Sequence, residues 1–344
     1  MSKKRKIYFI SGAILITLCL IALFTLGFYG KVFFDKENKV IYVYHEEGKT
    51  QFETELGINS FMWNCALIFK RFPSIKPGKY TIQNGMNYYE IIDLLRSGNQ
   101  TPIKFRTDNV TSVFQLAGKF GKSFESDSIQ FLQAVKNILP SLPEISSNTN
   151  EEIQLQSIIA YINGDTYEFL WTATPEEFLK RFINEYNAYW NTERKKNCSE
   201  KNLTPFQAAI LGSIVCGEIR VMDEGPRVAG LYLNRLTQGV LLQSDPTVVF
   251  ALNTNEKIQR VSSEDLKVES PYNTYKYKGL PPAPIRPVNF KYIDCVLNAE
   301  KNDYIFMVAE AGGTGRHKFS KTYSEHQQYA KEYWNYLNSK NIHR

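Results

Sequence analysis

The sequence is short of the residues and patterns that mark several protein classes. It has no low-complexity block and no internal repeat, which sets aside solenoids, fibrous chains and long disordered tails. Its five cysteines, Cys19, Cys65, Cys198, Cys216 and Cys295, are scattered, with no CxxC pair. That spacing excludes a disulfide framework or zinc ribbon and reads as free thiols, with room for at most one unassigned bridge. The four histidines, His45, His317, His326 and His343, include no pair at metal-ligand spacing, so no metal is expected. Charge of one sign is also scarce. The net charge is +6, and four of those charges are Lys3, Lys4, Arg5 and Lys6. The remainder is nearly balanced, which argues against a nucleic-acid face.

What is present starts with an uncharged run, residues 7–30, "IYFISGAILITLCLIALFTLGFYG". A bilayer takes about 20 apolar residues at 1.5 Å rise each. The basic residues 1–6 before it are expected to stay cytoplasmic, so that everything after Lys31 lies outside the cytoplasm. A cleaved signal peptide is the alternative, but the run is long for one and "TLGFYG" followed by "KVFFDKEN" is a poor cleavage site.

With 344 residues, two domains are expected beyond this run. Residues 39–100 read as a strand–helix–strand–helix module. "KVIYVYHE" alternates as a strand does, and "NYYEIIDLLRSG" is a helix capped by Asn87 and ended by Gly98. Residues 101–200 follow with one strand and then mostly helix. Thr174, Pro175 and Glu177 form a capping box for a helix to about Trp190, and "NTERKKNCSEKN" reads as an exposed polar link. Residues 201–340 carry an apolar helix over 204–219 and a second helix capped by Asp223, with Tyr232 on its inner face. A loop with four prolines ("ESPYNTYKYKGLPPAPIRPVNF"), a buried strand "YIFMVAE" and a closing helix complete the chain. Tyrosine is frequent, and exposed aromatic rings serve carbohydrate contacts as well as packing.

One placement stands out. The apolar helix ends on a single acid, Glu218. A carboxyl group among apolar atoms stays protonated towards neutral pH, as a general acid for glycosidic cleavage must. The alternative is structural, a core helix reaching water. Asp223, Glu224 and Asp245 are the candidate partner carboxylates.

The run "ILGSIVCGEIRVMDEGPRVAGLYLNRLTQGVLLQSDPTVVFAL" resembles the core of the YceG-like endolytic murein transglycosylases, the MltG type. "SPYNTYKYKGLPPAPI", "GGTGRHKFSKTYSEH" and "GDTYEF" are similar to further motifs of that family, in the same order, and "KPGKYTIQNGMNYYEIIDLLRSGNQ" resembles its LysM-like subdomain. The resemblance covers residues 40–335. It implies an α+β fold: an N-terminal transmembrane helix, a small LysM-like βαβα module, and a mixed α/β catalytic domain of the YceG-like type. It implies cleavage of the β-1,4 bond between N-acetylmuramic acid and N-acetylglucosamine in nascent peptidoglycan, leaving 1,6-anhydro ends. No cofactor is implied. The implied partners are peptidoglycan glycan strands and the cell-wall synthases (penicillin-binding proteins), at the cytoplasmic membrane. The family's catalytic glutamate falls on Glu218. Gln243, Asp245, Tyr272, Asn273, Thr274 and His317 would line the sugar cleft, although Asn273 and Thr274 read equally well as loop-holding residues and His317 as a turn-bonding one. Where the family has "EKET" this chain has Cys216, Gly217, Glu218 and Ile219, and Ser244 stands for Thr, Ala283 for Gly and Gly164 for Pro. The altered motif keeps one rival open, a glycan-binding scaffold without turnover; a second rival, a muramidase-type hydrolase, would need a route for water and a second carboxylate.

Overall fold

The computed structural model describes residues 3–45, 54–58, 60–69, 75–142, 150–254, 258 and 261–340. The chain divides into two compact units. The first comprises Met1–Lys104, Ser123–Glu125 and Glu168–Ala173, and the second comprises the remainder.

In the first unit the elements are α1 (Lys3–Tyr29), β1 (Asn38–Val43), α2 (Ser60–Phe69), β2 (Gly78–Gln83) and α3 (Tyr88–Ser97). The strand–helix–strand–helix order read from residues 39–100 is therefore present. β1 and β2 pair antiparallel, with Ile41 opposite Tyr80. Alternation puts Ile41, Tyr80 and Ile82 inside, against Trp63 of α2 and Ile91, Ile92 and Leu95 of α3. Each such side chain contributes about 2 kcal/mol by leaving water. Asn87 and Glu90 close a capping box on α3, and Gly98 ends it in the left-handed region at φ 72°.

The expected membrane span falls on α1, a helix of 27 residues. Side chains at 3–7, 9, 24 and 26–28 lie outside the described set. Among the described residues no helix is long and apolar enough to cross a membrane. Those side chains of α1 that are described are mostly apolar and exposed, including Ile10, Leu15, Leu18 and Leu20.

The second unit is largely helical. Its elements are α4 (Val113–Ser123, whose last residue falls in the first unit), α5 (Ser128–Ile138), α6 (Glu151–Gln156), α7 (Pro175–Tyr189), α8 (Thr192–Ser199), α9 (Pro205–Glu218), α10 (Gly225–Thr237), α11 (Asp245–Leu252), α12 (Phe290–Leu297), the hairpin β5 (Phe306–Ala309) and β6 (His317–Ser320), and α13 (Tyr323–Ser339). Two short strands, β3 (Ile103–Arg106) and β4 (Thr166–Phe169), pair with each other. Phe120, Phe131 and Phe178 meet edge-on or tilted, with centroids 4.8–5.6 Å apart, and form an aromatic core.

Three local expectations change. The polar stretch after Trp190 is not a loose link: Asn191 caps α8, and the helix buries Cys198 completely. Asp223 does not cap α10, because its carboxylate is taken by both terminal nitrogens of Arg316, at 3.0 and 2.8 Å. β5 is half-buried rather than buried. Cys198, Cys216 and Cys295 are free thiols, and the side chain of Cys65 lies outside the described residues.

α9 explains the placement of the site. Thr204 and Gln207 form its capping box with Pro205 in the first turn, and Phe206 and every residue from Ala208 to Val215 are buried. A helix that is apolar all round must be enclosed, and α10, α11 and α12 all pack on it. Its C-terminal residue is Glu218.

Candidate active site

α9 delivers Glu218 to the floor of a cleft of about 1050 Å³. Thr111, Ser112, Phe114 and Gln115 line that cleft together with residues of α6, α11 and the segment 270–272. Ile285 and Arg286, from the proline-rich loop, close one end. Two buried polar side chains fix that loop. Ser213 on α9 accepts from the Ile285 amide at 3.1 Å. Gln156 donates to the Pro284 carbonyl at 2.8 Å and accepts from the Val113 amide at 2.9 Å. Neither was marked by the sequence reading, since a buried Gln or Ser has no periodicity of its own.

Glu218 is partly exposed and lines the cleft. Its Oε1 accepts two hydrogen bonds, from the Tyr232 hydroxyl at 2.7 Å and from Ser244 Oγ at 2.5 Å. Burial raises its pKa above the ordinary carboxylate value. The two hydrogen bonds and His317 pull it back, and Asp245 pushes it up further. Burial is the largest of these effects, so the group holds its proton to higher pH than an exposed glutamate does.

Gly217 permits this arrangement. A Cβ there would lie 2.7 and 2.8 Å from the Pro246 ring, so only glycine lets the first turn of α11 settle against the end of α9. That approach carries Ser244 and Asp245 to the acid. The family's lysine at this position would not fit the same packing. Ile219 turns away from the cleft: it is buried, and its Cδ1 would stand 3.3 Å from a Cβ at Gly225.

The candidate residues occupy three settings. Asp245 and Tyr272 line the cleft with Glu218. Asp245 accepts from the Tyr275 hydroxyl at 2.6 Å. Tyr272 is buried against Phe250, and among the described residues its hydroxyl has no hydrogen-bond partner. Asn273 and Thr274 hold the loop. The Asn273 amide donates to the carbonyls of Leu266 and Val268 at 2.9 and 2.8 Å. Thr274 Oγ1 takes the Ser244 amide at 3.0 Å and meets Thr247 Oγ1 at 2.8 Å. Both are fully enclosed. Gln243 and His317 stand at the margin. Gln243 sits at φ 50° and accepts from Arg235, a left-handed turn that tightens the approach to Ser244. His317 binds the buried Glu224 by its amide and its Nδ1, at 2.9 and 3.2 Å.

Of the three candidate partner acids, Asp223 is bound to Arg316 and Glu224 to His317, which leaves Asp245 as the one lining the cleft. Arg235 binds carbonyls, those of Ile305, Leu241 and Leu242. Tyr232, read from helical spacing as a core residue, is buried and also touches the acid. Among the described residues, no group of three or more His, Cys, Asp or Glu side chains is placed to hold a metal ion.

With this geometry in place, comparison with known proteins identifies relatives. The chain is 29% identical over 288 residues to an endolytic murein transglycosylase of Bacillus subtilis, covering 79% of this chain and 76% of that protein. It is 24% identical over 321 residues to the endolytic murein transglycosylase of Streptococcus pneumoniae, covering 84% of this chain but 56% of the relative, so it spans little more than half of that protein's length. A crystal structure of a YceG-like protein from Listeria monocytogenes superposes with a TM-score of 0.57 at 24% identity, over 86% of this chain and 99% of that one, and thereby supports the fold. The YceG-like family model matches residues 42–332. The chain belongs to the YceG-like family.

Proposed function

We propose that this chain is an endolytic peptidoglycan lytic transglycosylase, with Glu218 as its acid. The observation that carries the reading is a single carboxyl group, raised in pKa by burial, opening onto a cleft large enough for sugar rings. Glu218 protonates the glycosidic oxygen as the bond from the muramic C1 breaks. The sugar's own 6-hydroxyl oxygen then closes on C1, and its proton passes to the Glu218 carboxylate, which resets the acid. No water enters, and the intramolecular attack needs no nucleophile from the protein. Asp245 and Tyr272 line the path of the glycan, while Asn273, Thr274 and Gln243 act by holding the cleft wall.

A second reading, hydrolysis of the same bond, draws on one observation: Asp245 lies in the cleft near enough to raise the pKa of Glu218. A second carboxylate can activate water. Mass spectrometry of the products separates the two readings, because an anhydro end is lighter than a hydrolysed one by one water. The test is to incubate the full-length chain with uncrosslinked nascent glycan. Anhydro ends from the wild type and none from Glu218→Gln are the expected result.

The finer placement belongs to the same proposal. α1, uncharged from Ile7 to Tyr29, anchors the chain in the cytoplasmic membrane with the basic residues inside. The β–α–β–α module serves as a LysM-like aid to glycan binding. Exposed Tyr42 and Tyr44 beside Trp171 support it, with ring centroids 5.1 and 4.8 Å away.

A further inference from the structure

We propose that Tyr232 and Ser244 are positioning residues that hold the catalytic proton of Glu218 on Oε2, the oxygen left for the cleft. The inference rests on the acid role proposed for Glu218 and assigns work to two residues inside the family motif, Tyr232 and Ser244, to which sequence reading assigned no part in the chemistry.

Both hydroxyls donate to the same oxygen, Oε1. Among the described residues Oε2 accepts no hydrogen bond. An oxygen that accepts two hydrogen bonds is a poor place for a proton, so the neutral acid carries its proton on the other oxygen. The two donors come from different elements, Tyr232 from α10 and Ser244 from the turn before α11, so they fix the carboxyl plane as well as its protonation. Tyr232 is 1% exposed and Ser244 0%. Neither donor is exposed to solvent.

The same bonds act again after proton transfer. Once Glu218 has donated its proton it is a carboxylate, and hydrogen bonds to a charged acceptor are stronger than those to a neutral one. Tyr232 and Ser244 therefore stabilise the transition state more than the ground state, as a catalytic contribution must. They also keep the pKa from climbing as far as burial alone would drive it. The other charged or titratable groups facing Glu218 are Asp245 on α11, His317 on β6, Arg235 on α10 and Tyr275 in the following loop.

The test uses the full-length chain with Tyr232→Phe, Ser244→Ala and Ser244→Thr. The Glu218 carboxyl is titrated by carbon NMR, and kcat and KM are measured across pH. In Tyr232→Phe and Ser244→Ala, the Glu218 pKa is expected to rise by about one pH unit. The alkaline limb of the rate profile should rise with it. At the optimum kcat should fall about tenfold or more with KM unchanged, and Ser244→Thr, which keeps the hydroxyl, should restore both readouts. A Glu218 pKa that stays still or falls in both hydroxyl-free variants would overturn the inference, as would a loss confined to KM. The titration decides the matter even without turnover. A wild type that makes no product while the variant pKa rises would sink the enzymatic reading and leave the proton placement standing. Normal cleavage with an unmoved pKa would do the reverse.

Discussion

Glu218 sits at a conflict between stability and chemistry. Its folded pKa lies above its unfolded value, so the protonated form is the one folding favours. The associated stability is fully present below the unfolded pKa, about 4.3, and is lost as pH rises through the folded pKa. Glu218→Gln, which is never charged, should therefore gain stability relative to the wild type as pH rises above that value, and the gain should vanish in acid. Urea melts at several pH values measure this difference, and a gain independent of pH would contradict the burial account. The same substitution should lower turnover by about 10² to 10⁴-fold, the usual share of general acid catalysis. Ile219 gives a contrasting prediction. Its side chain packs in the core and not in the cleft, so Ile219→Thr, which restores the family residue, should cost about 1–2 kcal/mol from a buried hydroxyl and should not raise kcat. Thermal unfolding and steady-state kinetics would check both halves.

At the scale of elements, the site depends on how closely α11 approaches α9. Gly217→Ala puts a Cβ against a proline ring that cannot bend away. Helix propensity alone would favour alanine by about 1 kcal/mol, but overpacking at this contact costs about 1–3 kcal/mol and displaces Ser244 and Asp245 from the acid. The expected outcome is a variant with lower Tm whose kcat falls further than its stability explains; equal or better activity would show that the approach is not needed. Gly230 is set similarly, since a Cβ there would lie 2.3 Å from the Glu300 carbonyl oxygen. Such contacts were illegible in the sequence, where Gly217 is simply a departure from a motif. Caps were legible at Asn87 and Thr174, because the two residues that bond lie three apart in the chain, although the box at Thr204 went unread. The apolar run of α9 was legible for the same reason, as burial on all sides leaves its mark on every residue. Tyr232 and Ser244 were not, since 14 and 26 residues separate them from Glu218. The helix α8 was missed because a polar stretch looked like a linker, and one buried residue, Cys198, was too slight a signal to say otherwise.

For the whole molecule, the two units divide the work proposed here: a small module following the helix α1, which is uncharged from Ile7 onwards, and a larger helical unit that contains the entire cleft. If α1 holds the chain in a bilayer, the full-length chain should stay in the membrane pellet after alkaline carbonate washing, and a form lacking residues 1–30 should not. Recovery of the full-length chain in the wash would contradict the anchor. The central claim concerns chemistry, that one enclosed carboxyl group breaks a glycan strand without water. The most direct test is the mass of the new ends produced by the full-length chain from uncrosslinked nascent peptidoglycan, with Glu218→Gln beside it. The account predicts ends one water lighter than hydrolysed ones from the wild type and no new ends from the variant. Hydrolysed ends, or anhydro ends that persist without Glu218, would contradict it.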